Sequence, residues 1–261
     1  MNIRHACAAL AVLIAACGGG SGDSQPGGAT PGPPPPPVTA DISLLFMGNS
    51  HTSFNNLTAM VADMVRAGKP GRTVTSVEAP GFMFLEERLL DAPSIALLRR
   101  QSWSFVILQA QKYSTSGQFT YSTEEAKALI RISREQRAVP VMFPEWPRRN
   151  IDETRRIYDL HVSIAQAESA CVAPIGQAWD LALARDPTLT LHAPDGNHSV
   201  EAGAFLTALV LYATITGQSP LSVPPMPQHP LDVSLQETLR GIAAETVQTM
   251  PPRMWCPGDP I

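Results

Sequence analysis

Ser50, Asp195 and His198 are the residues of this chain whose types and spacing could do chemistry together. Asp195 and His198 stand three apart in a turn-rich segment, His192-Ala193-Pro194-Asp195-Gly196-Asn197-His198. At that spacing the carboxylate can accept a hydrogen bond from the histidine's Nδ1–H. Nε2 is then free to face a hydroxyl and take its proton, and the carboxylate stabilises the imidazolium that forms. Ser50 offers the hydroxyl at a corner. An apolar run, Ile42 to Met47, ends at Gly48, which lets the chain turn; the helix-start residues Ser53, Asn55 and Asn56 come next. Leu57, Met60, Val61, Met64 and Val65 then repeat at three- and four-residue spacing. A serine between a strand end and a helix start lies beside free backbone N–H groups and the positive end of a helix dipole, where a nucleophile is well placed. Plainer readings exist for the same residues: a turn serine or helix cap, a surface histidine, a turn aspartate.

The elements that must position these residues alternate from Asp41 onward, as in βαβ units on a parallel sheet. Apolar runs predict strands at about 42–47, 73–78, 104–109, 139–143 and 171–175. Helices are expected at about 54–67, 85–100, 123–137, 151–169, 177–185, 199–216 and 232–249, the last packing on the outside through Leu235, Leu239, Ile242, Ala243 and Val247. Ligands of such sheets bind beyond the carboxyl ends of the strands. The loops there hold Ser50, then Ala79-Pro80-Gly81, Gln109-Ala110-Gln111 and Pro144-Glu145-Trp146.

Composition narrows the function further. The chain has 261 residues, 44% of them hydrophobic, and a formal net charge of -4 without a run of lysines or arginines, which argues against a nucleic-acid surface. It has no CxxC, no HExxH, no GxGxxG after a strand and no Walker glycine loop, so the usual zinc, dinucleotide and nucleotide signatures are missing and no cofactor is expected. Arg4 and His5 precede an apolar stretch, Ala6 to Ala16, too short to span a bilayer as a permanent helix. Leu13-Ile14-Ala15-Ala16-Cys17 looks like a bacterial lipobox, with Cys17 taking the lipid; an ordinary secretory signal is the other reading. The expected organisation is a lipoprotein signal at 1–17, a Gly/Ser/Pro-rich linker at 18–40 and a single domain at 41–261, extracytoplasmic and touching the membrane only through its lipid anchor. In that compartment Cys171 and Cys256 could form a disulfide or stay as separate thiols.

Gly48-Asn49-Ser50-His51-Thr52 resembles the opening block of the SGNH (GDSL-type) hydrolases, in a branch that reads Gly-Asn-Ser, and Asp195-Gly196-Asn197-His198 resembles the family's closing Asp-x-x-His. The resemblance spans almost the whole 41–261 domain. It implies a three-layer α/β/α sandwich of flavodoxin-like type with a five-stranded parallel sheet in the order 2-1-3-4-5. It also implies a Ser50–His198–Asp195 triad and an oxyanion hole made by the N–H groups of Ser50 and Gly81. The third block departs from the family's Gly-x-Asn-Asp. Here it reads Gln109-Ala110-Gln111-Lys112, so a glutamine amide is expected to replace the asparagine, Gln111 ahead of Gln109. His51 and His192 are read as flanking the pocket rather than binding metal. Asn49 makes the site less acidic than the usual aspartate would, and Glu145 and Trp146 either floor a sugar-sized pocket or anchor a loop. The activity implied is hydrolysis of small O-acyl esters, those on carbohydrates among them. The alternatives are a glycan-binding surface lipoprotein without turnover, or transfer of the acyl group to a sugar.

Overall fold

The structure is a computed structural model that describes residues 40–260. The signal and lipobox at 1–17, Cys17 included, and the linker as far as residue 39 lie outside the described residues.

Five strands form one parallel sheet: β1 Ile42–Met47, β2 Val74–Glu78, β3 Phe105–Gln109, β4 Val139–Phe143 and β5 Cys171–Val172. Their order is β2-β1-β3-β4-β5, as expected, with β1, β3 and β4 flanked on both sides. The helices are α1 Ser50–Ser53, α2 Leu57–Gly68, α3 Leu85–Leu90, α4 Ala92–Arg99, α5 Glu124–Glu135, α6 Thr154–Ala167, α7 Ile175–Arg185, α8 Glu201–Thr216 and α9 Val233–Thr249. Because side chains alternate along a strand, β1 feeds two cores. Leu44 and Phe46 pack with α2, α7, α8 and α9, whereas Leu45 and Met47 pack with α3, α4, α5 and α6. This is the doubly covered sheet that a continuous apolar strand requires. Helix α8 is buried from Ala202 to Thr216 and packs against α2, α7 and α9, so it is apolar all round rather than striped.

Three boundaries differ from the expected ones, each for a local reason. The helix expected over 85–100 is two helices, because in a continuous helix Pro93 would have no N–H for the carbonyl four residues back and its ring would clash with that carbonyl, whereas proline is tolerated in the first turn of a helix that Asp91 caps, accepting from the Ser94 N–H at 2.9 Å. Strand β5 has two residues because Pro174 has no N–H to give a ladder. The first helix does not start cleanly at Phe54: α1 is followed by a 3₁₀ turn, Phe54–Asn56, in which Asn55 and Asn56 have φ of 55° and 50°, before α2 begins.

Cys171 and Cys256 form a disulfide, Cα to Cα 5.0 Å, which settles the choice the sequence left open. It holds the C-terminal tail along the sheet edge, where the Pro252 carbonyl accepts the Val172 N–H at 2.9 Å. A cross-link separating 85 residues in sequence is worth roughly 4–5 kcal/mol in the chain-entropy picture.

Candidate active site

The carboxyl end of β1 delivers Ser50 to the first position of α1. The chain can make this corner only with glycine at 48, since a Cβ there would lie 2.3 Å from Thr52 Oγ1 and 2.4 Å from Gln109 Oε1. Asn49 caps α1, its Oδ1 accepting the His51 N–H at 3.1 Å. Ser50 Oγ lies 2.8 Å from His198 Nε2, and His198 Nδ1 lies 2.6 Å from Asp195 Oδ2. A carboxylate only accepts, so Nδ1 carries the proton, and Nε2 is left with its lone pair toward the serine hydroxyl. Asp195 Oδ1 also accepts the backbone N–H groups of Asn197 at 2.9 Å and His198 at 3.0 Å. The His198 ring hydrogen bond first, then these two N–H groups, hold the Asp195 carboxyl well below the usual carboxylate range. It is therefore an anion near neutral pH.

The loop carrying Asp195 and His198 is held by Arg149, whose guanidinium donates to the His192 and Ala193 carbonyls at 2.9 and 2.6 Å and whose N–H donates to the Gly196 carbonyl at 2.8 Å, and by aromatic rings. His198 stacks on Phe54 at 4.2 Å and on His51 at 5.2 Å. His51 meets Trp146 at 4.9 Å, Trp146 lies parallel to Trp179 at 4.6 Å, and His192 abuts Trp179 edge-on at 4.8 Å. Polar tips fix the column: Trp146 donates to the Asn197 carbonyl at 2.8 Å, Trp179 to Thr207 at 3.1 Å and His192 to the Pro147 carbonyl at 2.8 Å. Burial holds both His51 and His192 below the ordinary histidine range, so they sit neutral in this column. Trp146 is thus a loop anchor, 2% exposed, and not a pocket floor.

The corner carrying Ser50 is held by buried amide and guanidinium hydrogen bonds. Gln109 ends β3, fully buried; its Oε1 accepts from the Asn49 N–H at 2.8 Å and the Thr52 hydroxyl at 3.0 Å, and its amide donates to Glu145 at 3.0 Å. Asn49 and Glu145, both half-buried, are thus joined through Gln109 in the layer beside the serine. Gln111 donates both amide hydrogens to loop carbonyls, Lys112 at 3.0 Å and Ser122 at 2.9 Å. The expectation that Gln111 supplies an oxyanion donor is corrected by this arrangement. Ala110, with φ 75°, turns the chain after the strand, and the Gln111 amide beyond it is spent within its own loop. Gln109 does not replace it as a free donor, because its amide braces the corner at Asn49 and Thr52. The N–H groups of Ser50 and Gly81, by contrast, have no acceptor among the described residues. Gly81 has φ 78°, a conformation that favours glycine.

Sequence reasoning missed several residues that build this site. Asn55 donates to the carbonyl and hydroxyl of Ser199 at 2.9 and 3.0 Å, tying the nucleophile's turn to the residue after His198. The Asn55-Asn56 pair, both types that tolerate left-handed backbone, was the available signal. Phe54 and Arg88 carried none: one reads as a helix residue, the other as a charge on a surface helix.

His51, His192 and His198 do not gather as a ligand set. Among the described residues the one group of three potential ligands close enough to share an ion is Cys171, Cys256 and Asp259, and both cysteines are committed to the disulfide.

Neither a family model nor a curated protein sequence matches the chain. Solved structures do. A protein from Slackia heliotrinireducens described as a candidate SGNH hydrolase is 24% identical, with a TM-score of 0.55 over 67% of this chain and 98% of its own. A DUF4886 family protein from Bacteroides uniformis is 17% identical, with a TM-score of 0.60 over 80% of this chain and 95% of its own. The protein TesA is 15% identical, with a TM-score of 0.50 over 67% and 98%. At these identities the likeness establishes the fold, an α/β architecture shared with SGNH hydrolases.

Proposed function

We propose that this protein is a serine ester hydrolase of the SGNH type, acting on small O-acyl esters, carbohydrate esters among the candidates. The observation that carries the reading is the unbroken chain Asp195–His198–Ser50, at 2.6 and 2.8 Å, at the carboxyl end of β1. His198 takes the Ser50 proton as Oγ attacks the acyl carbonyl, and Asp195 stabilises the imidazolium. The oxyanion faces the N–H groups of Ser50 and Gly81. His198 then gives its proton to the departing alcohol. A water molecule, deprotonated by His198, opens the acyl-serine, and the carboxylic acid leaves. No step calls for a metal or organic cofactor.

The test is labelling with a fluorophosphonate probe together with turnover of a short-chain nitrophenyl ester. Reaction at Ser50, abolished in Ser50→Ala, is expected; a folded wild-type protein that neither labels nor turns over would leave the non-catalytic glycan-binding reading in its place. Comparing acyl esters with acetylated glycans, with and without a sugar acceptor, separates hydrolysis from transfer. Because Asp195 stays ionised far into acid, the acid limb of kcat/KM should show one ionisation, with no second one near the ordinary carboxylate value of 3.8.

The protein is proposed to act outside the cytoplasm, tethered by a lipid on Cys17. The Leu13-Ile14-Ala15-Ala16-Cys17 sequence and the disulfide, a bond suited to oxidising compartments, support this. Cys17→Ser should release soluble protein or leave an unprocessed precursor; a mature terminus elsewhere without lipid mass would overturn the anchor.

A further inference from the structure

Arg88, on α3, is fully buried, and no carboxylate lies in ion-pair range of it among the described residues. Its partners are carbonyls from the two loops that frame Ser50. Nη1 donates to Pro80 O at 2.6 Å and to Ser94 Oγ at 3.0 Å; Nη2 donates to Gly48 O at 2.6 Å, to Ala79 O at 3.2 Å and to Gly81 O. Ser94 Oγ in turn donates to Asp91 Oδ2 at 2.6 Å, so the nearest carboxylate reaches the guanidinium only through a hydroxyl. Burying a guanidinium without direct carboxylate contact is costly, so this geometry demands a reason.

In a trans peptide the C=O and N–H point to opposite sides, and no described peptide bond is cis. Each carbonyl that Arg88 draws inward therefore turns the next N–H outward. The rule can be checked at Gly48: its carbonyl faces Arg88, and the following N–H, of Asn49, points the other way and is taken by Gln109. At Pro80 the same inversion aims the Gly81 N–H away from Arg88, where it has no acceptor among the described residues. A cation on the carbonyl oxygen also polarises the peptide, making its N–H a stronger donor to an anion.

We infer that Arg88 is the positioning residue of the oxyanion hole, holding the Pro80–Gly81 peptide so that the Gly81 N–H meets the developing oxyanion above Ser50. This rests on the serine-hydrolase reading. Arg88 touches no substrate. It acts through a peptide whose hydrogen bond strengthens in the transition state, so its loss lowers kcat and leaves KM nearly alone.

The experiment measures Arg88→Lys, Arg88→Met and Ser94→Ala in the full chain, by ester kinetics, thermal melting and inhibition by phenylboronic acid, which forms an anionic tetrahedral adduct on a serine. Deleting an oxyanion donor costs about 10²–10³ in kcat, and mis-aiming one should cost part of that. Arg88→Lys, which keeps the charge, should lose about 10-fold in kcat, and Arg88→Met about 100-fold. KM should stay within about twofold, and boronate affinity should fall in step with kcat. Ser94→Ala, which removes one contact to Nη1 and guards against misfolding of the arginine variants, should show the same pattern at about threefold. Folded variants with wild-type kcat, or with boronate affinity unchanged, would overturn the role of Arg88 while leaving the esterase intact. A wild-type protein with neither turnover nor boronate inhibition would overturn both readings.

Discussion

The corner that carries Ser50 and the loop that carries Asp195 and His198 meet across 2.8 Å, yet they are held in different proportions by hydrogen bonds and rings. The corner is braced from below by Gln109 and Arg88, side chains at 0% exposure whose hydrogen bonds end on backbone atoms, buried hydroxyls and Glu145. The loop takes three hydrogen bonds from Arg149 and is otherwise braced from the side by a column of rings, Phe54, His51, Trp146, Trp179 and His192, with single polar tips. Hydrogen bonds are directional, and losing one partner strands the other in a dry environment at about 1–3 kcal/mol. Ring contacts are broad and graded, each worth about 0.5–1.5 kcal/mol beyond burial. In the proposed reaction the serine and its oxyanion donors need fixed angles. There the histidine shifts slightly as it carries a proton from serine to leaving group, and a stack tolerates that motion.

The largest effect tests whether the two halves act as one unit. Ser50→Ala and His198→Ala should each reduce ester turnover by about 10³-fold or more, and the double variant should be no worse than the poorer single one. Additive losses would show the halves working separately.

Next come the braces of the corner. Gln109→Ala leaves the Asn49 N–H, the Thr52 hydroxyl and Glu145 without their partner and should cost about 3 kcal/mol of stability by chemical denaturation, together with about 10²-fold in kcat. Gln111→Ala should change kcat less than about threefold, since its amide serves only its own loop. The opposite ranking would restore Gln111 as an oxyanion donor and remove the brace role from Gln109.

The loop should respond more gently. Trp146→Phe keeps a ring in the column but deletes the hydrogen bond to Asn197, with an expected loss of about 5- to 10-fold in kcat/KM. Phe54→Leu removes the stack on His198 from a side chain that is 43% exposed, and should cost about three- to fivefold with stability nearly unchanged. Losses in these variants matching that of Gln109→Ala would end the distinction between a rigid corner and a compliant loop. The smallest effect belongs to Ala110, whose φ of 75° costs roughly 1–2 kcal/mol in an alanine. Ala110→Gly should raise stability by up to about 1 kcal/mol, net of glycine's entropy, and leave kinetics unchanged.

Local patterns along the chain were enough to give the α/β alternation, the sheet order expected of the resembled family, and the three residues Ser50, Asp195 and His198, which the fold brings together. Strand periodicity, a glycine at the corner and an Asp-x-x-His turn all act within a few residues of one another. The disulfide, the identity of the braces and the failure of Gln111 as a donor were decided by tertiary structure. Each depends on where a side chain ends up relative to segments far away in sequence: Gln109 under Asn49, 60 residues apart, and Cys171 beside Cys256, 85 apart. Arg88 is the clearest case. A charged residue in Leu85-Glu86-Glu87-Arg88-Leu89-Leu90 reads as solvent-facing, because its helix shows three charges in a row. Only the convergence of the loops after β1 and β2 creates the carbonyl cluster that makes burying a guanidinium worthwhile.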